Sequence, residues 1–477
     1  MNLLLITPNT AGRYAKPVSP PVGIAYLAAF LKKRGHRVDV MDLRVEKEDF
    51  DYLSAIKKID PEIIGISFMT YRYQDSYRLI NEIKKNLGLK IVLGGSHPCA
   101  IRQKVLEECQ ADYAVYGEGE FTLLDLLEKK ENVLIEGLIW RNNGGIVLNP
   151  PRDPIRDLDS LPFPDYEMFP LHKYAQKRIP INTARGCPHR CIYCAVDLIS
   201  GKRFRARSAK NVVDEIEHWY KKGYKNFGFN DDTFTENMPR AAEICDELIR
   251  RKIAIDWDLR TGIRVDRVNK ELSIKLKEAG CTFVVFGIES TDKDVLNMMR
   301  KDIPADSIES SVRQAKESGL GVGGFFMIGT PYDSYEKFKK TYQFASLPLF
   351  DEVRFYNTVP YPGTVLYDWI KGNARFLHEP QVYLNSFERW QEEPIFETDT
   401  FSAKERIRAF NEGEFLVAKK LLIKVLGRRL GAVFSWPCKV KVARRIIMDT
   451  GFRMSSLVLK CLDARKRLTG KGKNNIP

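Results

Sequence analysis

The chain has 477 residues, of which 44% are hydrophobic and 11% aromatic, a balance typical of a folded globular protein with two or three domains. It contains no uninterrupted apolar run of about 18 residues, which argues against a membrane-spanning helix. Its 9 cysteines are odd in number and mostly scattered, so we expect a reducing compartment and a cytoplasmic protein.

The formal net charge of +14 is concentrated near the carboxyl terminus. From Lys419 onward, 16 basic residues stand against two acids, Asp449 and Asp463, so the residues before them are neutral in sum. The basic segment 419–477 predicts an anionic partner, which would be a membrane surface, a lipid substrate or RNA. The mixture of apolar and basic residues over 415–430 fits either an amphipathic helix in a membrane interface or a helix packed on the core.

The first part of the chain, up to about residue 130, alternates short apolar runs with helical patterns. Strands alternating with helices indicate a doubly wound, Rossmann-like α/β domain whose parallel sheet is covered on both faces. The opening run 1–7 is interpreted as a buried strand and not a signal peptide, because no basic leader precedes it. The predicted strands are 3–7, 38–43, 63–68, 91–93 and 113–116, and the predicted helices are 22–33, 77–85 and 121–129.

Two glycine-rich segments directly follow the last two of these strands. They are 94–97, with the sequence GGSH, and 117–120, with the sequence GEGE. Ligands of parallel sheets bind beyond the carboxyl ends of the strands, where glycine lets the backbone approach them closely. The two segments are therefore candidates for a ligand site, although each could also be only a tight turn.

A second region of alternating strands and helices begins after a hairpin (134–140 and 146–148) and a proline-rich segment, 149–180, that we interpret as an extended linker. Its six strand-like runs predict a partial (β/α)6 barrel, and from about residue 373 a mainly helical extension follows. The predicted domains are therefore 1–148, 149–180, 181–372 and 373–477. The predicted strands are 180–183, 226–229, 254–260, 282–286, 321–327 and 352–357, and the helices between them include 212–222, 241–251 and 271–279.

Three closely spaced cysteines, Cys187, Cys191 and Cys194, follow the first strand of this second region with the spacing Cys-x3-Cys-x2-Cys. Three thiolates in one short loop can hold three irons of a 4Fe–4S cluster and leave the fourth iron open to a small molecule. A zinc site is the alternative, with His189 as a fourth ligand. The remaining cysteines are interpreted as inert side chains.

With this loop, the order of motifs along the chain resembles the radical SAM enzymes that carry an amino-terminal cobalamin-binding domain, which include radical methylases and anaerobic magnesium-protoporphyrin monomethyl ester cyclases. The resemblance covers roughly residues 1–370, and the cysteine loop is its most specific part. The other matching segments are 20–27 (PPVGIAYL), the two glycine-rich segments, 161–164 (LPFP) and 287–290 (GIES).

The resemblance implies that S-adenosylmethionine (SAM) chelates the open iron and is cleaved by an electron from the cluster to give a 5′-deoxyadenosyl radical. It also implies roles for particular residues, each of which has a purely structural alternative as a helix cap or a surface ion pair. Tyr193 would line the adenine, Asp231 and Asp232 would lie near the methionine moiety, Arg264 would meet the carboxylate, Glu289 and Ser290 would lie on the ribose side, and Gly329 would form a turn near the adenine.

The amino-terminal domain is expected to bind cobalamin, but its first loop, 8–21, contains no histidine and no Asp-x-His-x-x-Gly motif. We therefore expect that the lower face of the cobalt is not ligated by a histidine from that loop, and His97 is the other histidine near a ligand-facing strand end. The candidate cobalamin-binding residues are Gly94, Gly95, His97, Gly117 and Glu118.

The favoured function is radical methylation of an unactivated carbon on a lipid-like or other hydrophobic substrate, with an electron donor such as flavodoxin or ferredoxin. An oxidative cyclisation or another radical rearrangement would use the same cluster. An RNA-modifying methylthiotransferase is a further alternative, but only Cys99 and Cys109 precede the core, where that family carries three cysteines for a second cluster. A cobalamin or metal sensor would leave the cysteine loop unexplained, and nucleic acid is not the expected partner.

Overall fold

The computed structural model describes residues 1–9, 17–176, 178–386 and 392–427, together with Leu430, Val433, Ser435 and Cys438. Its amino-terminal part is one seven-stranded sheet with helices on its faces. The strands of this sheet are β1 (Asn2–Thr7), β2 (Arg37–Asp42), β3 (Ile63–Ser67), β4 (Lys90–Gly94), β5 (Tyr113–Val115), β6 (Leu138–Asn142) and β7 (Gly145–Leu148). The helices are α1 (Val22–Lys32), α2 (Tyr52–Ile59), α3 (Tyr73–Leu87), α4 (Ser96–Ile101), α5 (Lys104–Glu107) and α6 (Gly119–Leu127).

The strand order in this sheet is β2-β1-β3-β4-β5-β6-β7, in which the first five strands are parallel and the β6–β7 hairpin is antiparallel. The parallel part is the predicted doubly wound arrangement, with both faces buried in hydrophobic cores. Helix α2 was not among the predicted elements, because only Ile56 of its eight residues is buried and its apolar pattern is correspondingly short.

The proline-rich segment 149–180 differs from the extended linker expected from its composition. It contains three single turns of 3-10 helix, Leu158–Ser160, Tyr166–Met168 and Leu171–Lys173. Tyr166 is fully buried, and its hydroxyl donates a hydrogen bond of 2.7 Å to the Pro180 carbonyl. Proline excludes regular helix and central strand but not such packed turns, so this segment is a strap held on the core.

The second sheet has six strands in the order β15-β14-β13-β12-β11-β8. All are parallel, and their order across the sheet follows their order along the chain. All six predicted strands are present, and the predicted α/β fold class is confirmed. These strands are β8 (Ile179–Ile181), β11 (Asn226–Phe229), β12 (Asp256–Ile263), β13 (Cys281–Glu289), β14 (Gly321–Ile328) and β15 (Glu352–Asn357).

A two-stranded hairpin, β9 (Ala184–Arg185) and β10 (Arg205–Ala206), brackets the cysteine loop and the short helix α7 (Val196–Ile199). The other helices are α8 (Ala209–Lys221), α9 (Met238–Arg250), α10 (Lys270–Glu278), α11 (Lys293–Met298), α12 (Ile308–Glu317), α13 (Tyr335–Ser346) and α14 (Val365–Asn373).

The carboxyl-terminal extension is mainly helical and packs back on the second sheet. After β16 (Arg375–Phe376), α15 (Pro380–Ser386) and β17 (Phe396–Glu397), it ends in the long helix α16 (Ala403–Leu426), which begins with a capping box of Ser402 and Glu405. Within the described residues, no helix combines the length and the apolar character needed to cross a membrane.

Helix α16 contains most of the segment that the sequence offered as a membrane-interface helix. Leu416, Val417 and Leu422 are buried against the core, and the Lys420 ammonium donates hydrogen bonds to the carbonyls of Leu347 and Phe350. These contacts favour the alternative of a helix packed on the core over its described length. Most of the basic segment beyond residue 427 lies outside the described residues.

Candidate functional site

The cysteine loop directly follows β9 and is held in place mainly by backbone contacts. Gly186 has a positive φ of 82°, and a Cβ at this position would overlap the Arg203 carbonyl oxygen, so only glycine fits. The Cys187 amide donates to the Gly201 carbonyl at 3.2 Å, and the Cys194 amide donates to the Cys191 carbonyl at 3.1 Å. The three thiols are free, half-buried and on one loop, as the spacing predicted.

The chemistry of this donor set fits an iron–sulfur cluster. Burial and the neighbouring thiols Cys194 and Cys191 raise the pKa of Cys187 to about 11, so a metal must replace the proton for the thiolate to form at neutral pH. Among the described residues, no group of three His, Cys, Asp or Glu side chains is arranged to hold one metal ion. In a 4Fe–4S cluster each cysteine binds a different iron, so three free thiols on one short loop can serve three of its irons.

His189, the candidate for a fourth zinc ligand, lies inside the cysteine loop but has another partner. Its Nε2 is 2.7 Å from the Glu236 Oε2, and both side chains are 14% exposed. An imidazole nitrogen held by a buried carboxylate fixes the ring and the loop around it. The structure therefore gives His189 a structural contact and does not favour the zinc alternative.

The two aspartates predicted near the methionine moiety have different surroundings. Asp231 is buried and accepts hydrogen bonds from the Thr183 hydroxyl and from the amides of Thr183 and Ala184, so it holds the start of the cysteine loop. Asp232 is exposed, accepts a hydrogen bond of 3.3 Å from the Gly186 amide and lines a large cavity. Of the pair, Asp232 is the carboxylate that a ligand can reach.

Tyr193 and Glu289 meet at a third residue that the sequence interpretation missed. The Lys301 ammonium lies 3.0 Å from the Tyr193 hydroxyl and 3.1 Å from the Glu289 Oε1, and the Tyr193 hydroxyl lies 3.3 Å from the same oxygen. Lys301 is only 6% exposed, and Glu289 has a positive φ of 67°, which costs a non-glycine residue about 1 kcal/mol or more. Two of the three donors of the ammonium are engaged among the described residues, which leaves one for a ligand.

Arg264, predicted to meet the SAM carboxylate, is engaged by the protein itself. Its Nε and Nη2 donate to the Asp266 carboxylate at 3.0 and 2.9 Å. The Lys301 and Asp302 carbonyls accept from Nη1 and Nη2 at 2.7 and 3.2 Å. Four of the five guanidinium donors are thus used, and the side chain positions the segment that presents Lys301.

Ser290 and Gly329 also have contacts within the protein. The Ser290 hydroxyl is buried, accepts from the Asp292 amide at 3.1 Å and faces Thr341. Gly329 has a φ of 77°, and a Cβ there would overlap the guanidinium of Arg406 from α16. These contacts account for both residue types structurally, and their predicted roles at the ribose and the adenine stay predictions.

A cavity of about 270 Å3 lies between the two sheets. One wall is formed by the carboxyl ends of β3, β4 and β5 and by α1, and the other by residues next to the cysteine loop. The predicted residues Gly94, Gly95, Gly117 and Glu118 all line it, and a Cβ on Gly94 or Gly117 would meet no atom within 4 Å. The first wall includes Ser67, Gly94, Gly95, Gly117, Glu118 and Glu120, and the second includes Asn182, Ala184, Arg185, Ser200 and Asp232.

His97, predicted at the cobalamin site, is not among the residues that line this cavity, and its role as a ligand stays a prediction. Its Nε2 is 2.9 Å from the Tyr77 hydroxyl, and its ring stacks on Tyr73 with 4.6 Å between the centroids. Burial lowers the pKa of His97 to about 3, so the ring is neutral at physiological pH. His97 lies in α4, and its ring packs beside Tyr73 and Tyr77, which belong to the hydrophobic core on one face of the sheet.

Comparisons with known proteins agree with this arrangement. The chain matches the family model of the B12 binding domain over residues 9–127 and that of the radical SAM superfamily over residues 181–345. The uncharacterized methyltransferase PH0819 of Pyrococcus horikoshii is 35% identical over 393 residues, which are 79% of this chain and 84% of that protein. The anaerobic magnesium-protoporphyrin IX monomethyl ester cyclase of Rubrivivax gelatinosus is 28% identical over 368 residues, 72% of this chain and 65% of that protein.

A solved structure supports the fold over nearly the whole chain. The radical S-adenosylmethionine methyltransferase TsrM from Kitasatospora setae, with cobalamin and a 4Fe–4S cluster bound, superposes with a TM-score of 0.71 at 18% identity. The match covers 95% of this chain and 100% of that one.

The cysteine loop on a six-stranded parallel sheet, together with these matches, defines a radical SAM enzyme. More particularly, the chain belongs to the family in which a B12-binding domain precedes the radical SAM domain. The predicted family, enzyme class and cofactors are confirmed: the enzyme uses a 4Fe–4S cluster, SAM and cobalamin.

Proposed function

We propose that this enzyme transfers a methyl group through cobalamin to an unactivated carbon. The observation that carries the proposal is the single cavity shared by the two domains. Its walls combine the glycine-lined strand ends of the B12-binding domain with Asp232 and the residues flanking the cysteine loop. A methyl carrier and a radical source must act on the same substrate atom, so their sites must adjoin. The identity to a protein named as a methyltransferase is a second support.

The chain's own residues would bind and orient the cofactors. The cluster, when bound, supplies the electron that cleaves SAM, and Cys187, Cys191 and Cys194 would hold it. Lys301 carries a buried positive charge beside Tyr193, the residue before the third cysteine, and Arg264 is already paired. We therefore propose that Lys301, and not Arg264, meets the carboxylate of SAM.

A hydrophobic substrate, lipid-like or otherwise, is the second part of the proposal. Large apolar side chains are exposed at the carboxyl ends of strands from both sheets: Met69 after β3 and Tyr332 after β14 are each 59% exposed, and Tyr356 in β15 is 43% exposed. Phe325 packs edge-on against Tyr356 at 5.7 Å. Exposed aromatic and thioether groups at these strand ends would favour an apolar ligand. A low-potential reductant of the flavodoxin or ferredoxin kind would supply the electron.

An oxidative cyclisation is the second candidate, favoured by the similarity to the magnesium-protoporphyrin cyclase. An RNA methylthiotransferase is less well supported, because Cys99 and Cys109 are both buried. The Cys99 thiol accepts from the Gly117 amide, and the Cys109 thiol donates to the Val105 carbonyl.

The test is anaerobic reconstitution with iron, sulfide and cobalamin, followed by addition of SAM and a strong reductant. Formation of 5′-deoxyadenosine is expected from the radical chemistry, and S-adenosylhomocysteine is expected in addition if cobalamin carries a methyl group. 5′-Deoxyadenosine without S-adenosylhomocysteine would favour the cyclase, and neither product would contradict both candidates. Cys187→Ala is the inactive reference, and Cys245→Ala, which removes a buried thiol on α9, is its matched control.

A further inference from the structure

Two glutamates of the B12-binding domain are joined to two arginines of the radical SAM domain by a buried ionic junction. Arg185 lies 2.7 Å from Glu120 and 3.2 Å from Glu118. Arg205 lies 2.8 Å from Glu118. The side chains of Arg185, Glu118, Glu120 and Arg205 are 17%, 11%, 5% and 4% exposed. Two positive and two negative charges therefore cancel away from water, where an unpaired charge would be strongly unfavourable.

The arginine side of the junction is built into the support of the cysteine loop. Arg185 lies two residues before Cys187 and is the cross-strand partner of Arg205 in the β9–β10 hairpin. Arg205 also donates to the Ser200 carbonyl at 3.0 Å, and the next carbonyl, that of Gly201, accepts from the Cys187 amide. A displacement of either guanidinium therefore moves the backbone that holds the first cluster ligand.

The glutamate side of the junction is part of the cavity wall. Glu118, just before α6, and Glu120, in the first turn of α6, line the cavity from one side, and Arg185 lines it from the other. Glu118 also accepts from the Ile155 amide at 2.7 Å, which ties the turn to the proline-rich strap. Three of the four side chains, those of Glu118, Glu120 and Arg185, thus line the cavity, and the fourth, Arg205, connects them to the support of the cysteine loop.

We propose that Arg185 and Arg205 are positioning residues that couple the cysteine loop to the cobalamin cavity, an inference that rests on the proposed function for the identity of the cavity's ligand. Cluster loading fixes the loop, the loop fixes the two guanidinium groups, and these hold Glu118 and Glu120 in the wall that cobalamin contacts. Coupling between two sites is reciprocal, so cobalamin must favour cluster retention by the same factor.

The test compares the hydroxocobalamin dissociation constant of the cluster-free chain with that of the cluster-loaded chain, by absorbance titration under anaerobic conditions. For the unaltered chain we expect binding at least threefold tighter after cluster loading. In Arg185→Met and in Glu120→Gln we expect this ratio to fall to about one, with iron content per chain unchanged. Arg185→Lys, which keeps the charge but loses the fork of donors, should give an intermediate ratio.

The matched control is Arg251→Met, since Arg251 joins Asp214, Glu217 and Glu247 between α8 and α9, away from the cavity. Its ratio should equal that of the unaltered chain. If Arg185→Met does not fold, the exchanged pair Arg185→Glu with Glu120→Arg, which keeps both charges, provides the second measurement, and partial recovery of the ratio is expected.

Two results would contradict the inference in distinguishable ways. If the unaltered chain binds cobalamin and the variants keep its ratio, or if that ratio is already one, the junction does not couple the sites and the proposed function stands. If the unaltered chain binds no cobalamin with or without its cluster, the proposed function fails and this inference fails with it.

Discussion

Individual polar residues around the cysteine loop divide into those bonded within the protein and those still able to bind a ligand. Asp231 and Arg264 have their polar atoms engaged by backbone and by Asp266. Asp232 is exposed at the cavity, and the buried Lys301 ammonium keeps one donor beyond those used by Tyr193 and Glu289. Binding specificity in a site of this kind depends on the second group, because only its members gain a partner when the ligand arrives.

The Lys301→Met variant tests the role proposed for this lysine. Loss of the buried ammonium should weaken SAM binding at least tenfold, because a charge-assisted hydrogen bond to a carboxylate contributes about 1.5–3 kcal/mol. Lys301→Arg, which keeps the positive charge, should retain part of the affinity for SAM. The measurement is the KM for SAM in 5′-deoxyadenosine formation, together with equilibrium binding to the cluster-loaded protein. Lys316→Met, which removes a salt bridge to Asp351, is the control; an unchanged KM in Lys301→Met would contradict the assignment.

The three cysteines proposed as cluster ligands could be selected from the sequence because they lie close together on one loop. Lys301 could not, because its partner Glu289 lies on another element and nothing in the residues around Lys301 marks it as buried. The surroundings of His97 could not be predicted for a related reason. The residue follows a strand end, as the sequence indicates, but nothing in the sequence shows that its ring stacks on Tyr73 and contacts the Tyr77 hydroxyl.

At the scale of elements, the strands were easier to predict than their connections. Buried parallel strands are continuous apolar runs, so all the parallel strands of both sheets were found to within a few residues. The proline-rich strap was not, since its buried Tyr166 is held by contacts with distant parts of the chain. The sequence also could not show whether α16 packs on the core or lies in a membrane interface. A mixture of basic and apolar residues is typical of both kinds of helix.

The carboxyl end of β4 gives a test of the cavity that should leave the fold intact. A Cβ on Gly94 would meet no atom within 4 Å, and Gly94 lines the cavity. Gly94→Leu should therefore project into the cavity and lower cobalamin affinity tenfold or more, with little change in the unfolding midpoint. Gly372→Leu, at an open position of α14, is the matched control. Equal cobalamin titrations for both variants would show that the ligand binds elsewhere.

The buried carboxyl group of Asp333, in the turn after β14, predicts a pH-dependent stability. Burial raises the pKa of Asp333 from 3.8 to about 7, while its carboxylate accepts from the Gly329 and Ser334 amides. The folded state then binds the proton more tightly than the unfolded state, so the free energy of unfolding falls as pH rises from about 4 to about 7. At roughly 1.4 kcal/mol per pH unit, the full loss is about 4 kcal/mol.

Asp333→Asn removes this titration. Its unfolding midpoint should be lower at pH 5, because one amide hydrogen bond is lost, but should change less than that of the unaltered chain between pH 5 and pH 8. Thermal unfolding followed by circular dichroism at several pH values measures the slope. Asp368→Asn, at an exposed position of α14, should keep the original slope. Parallel curves for Asp333→Asn and the unaltered chain would contradict the prediction.

At the scale of the whole molecule, the parallel strands of both sheets direct their carboxyl ends toward a common cavity, and the strap 149–180 and the ionic junction connect the two domains beside it. The net positive charge of the chain is concentrated in residues 419–477 and not in the residues that line this cavity. In the described part of α16, the buried Lys420 donates to two backbone carbonyls, and Lys424 pairs with Glu352 at the surface. Thirteen further basic residues follow Gly427, so we expect an anionic partner to meet mainly that segment.

A chain ending at Gly427 separates these two parts of the molecule. It keeps the packed face of α16 and should load cluster and cobalamin as the full chain does, whereas 13 basic residues against two acids are removed. Because each basic residue near an anionic surface contributes about 1 kcal/mol, the full chain should co-sediment with vesicles containing phosphatidylserine, and the shortened chain should not. Binding should fall in high salt and be weak on neutral vesicles. A full-length variant in which glutamine replaces Arg444, Arg445, Arg465, Lys466 and Arg467 should also bind these vesicles more weakly. Equal vesicle binding by the full and shortened chains would exclude a membrane role for this segment.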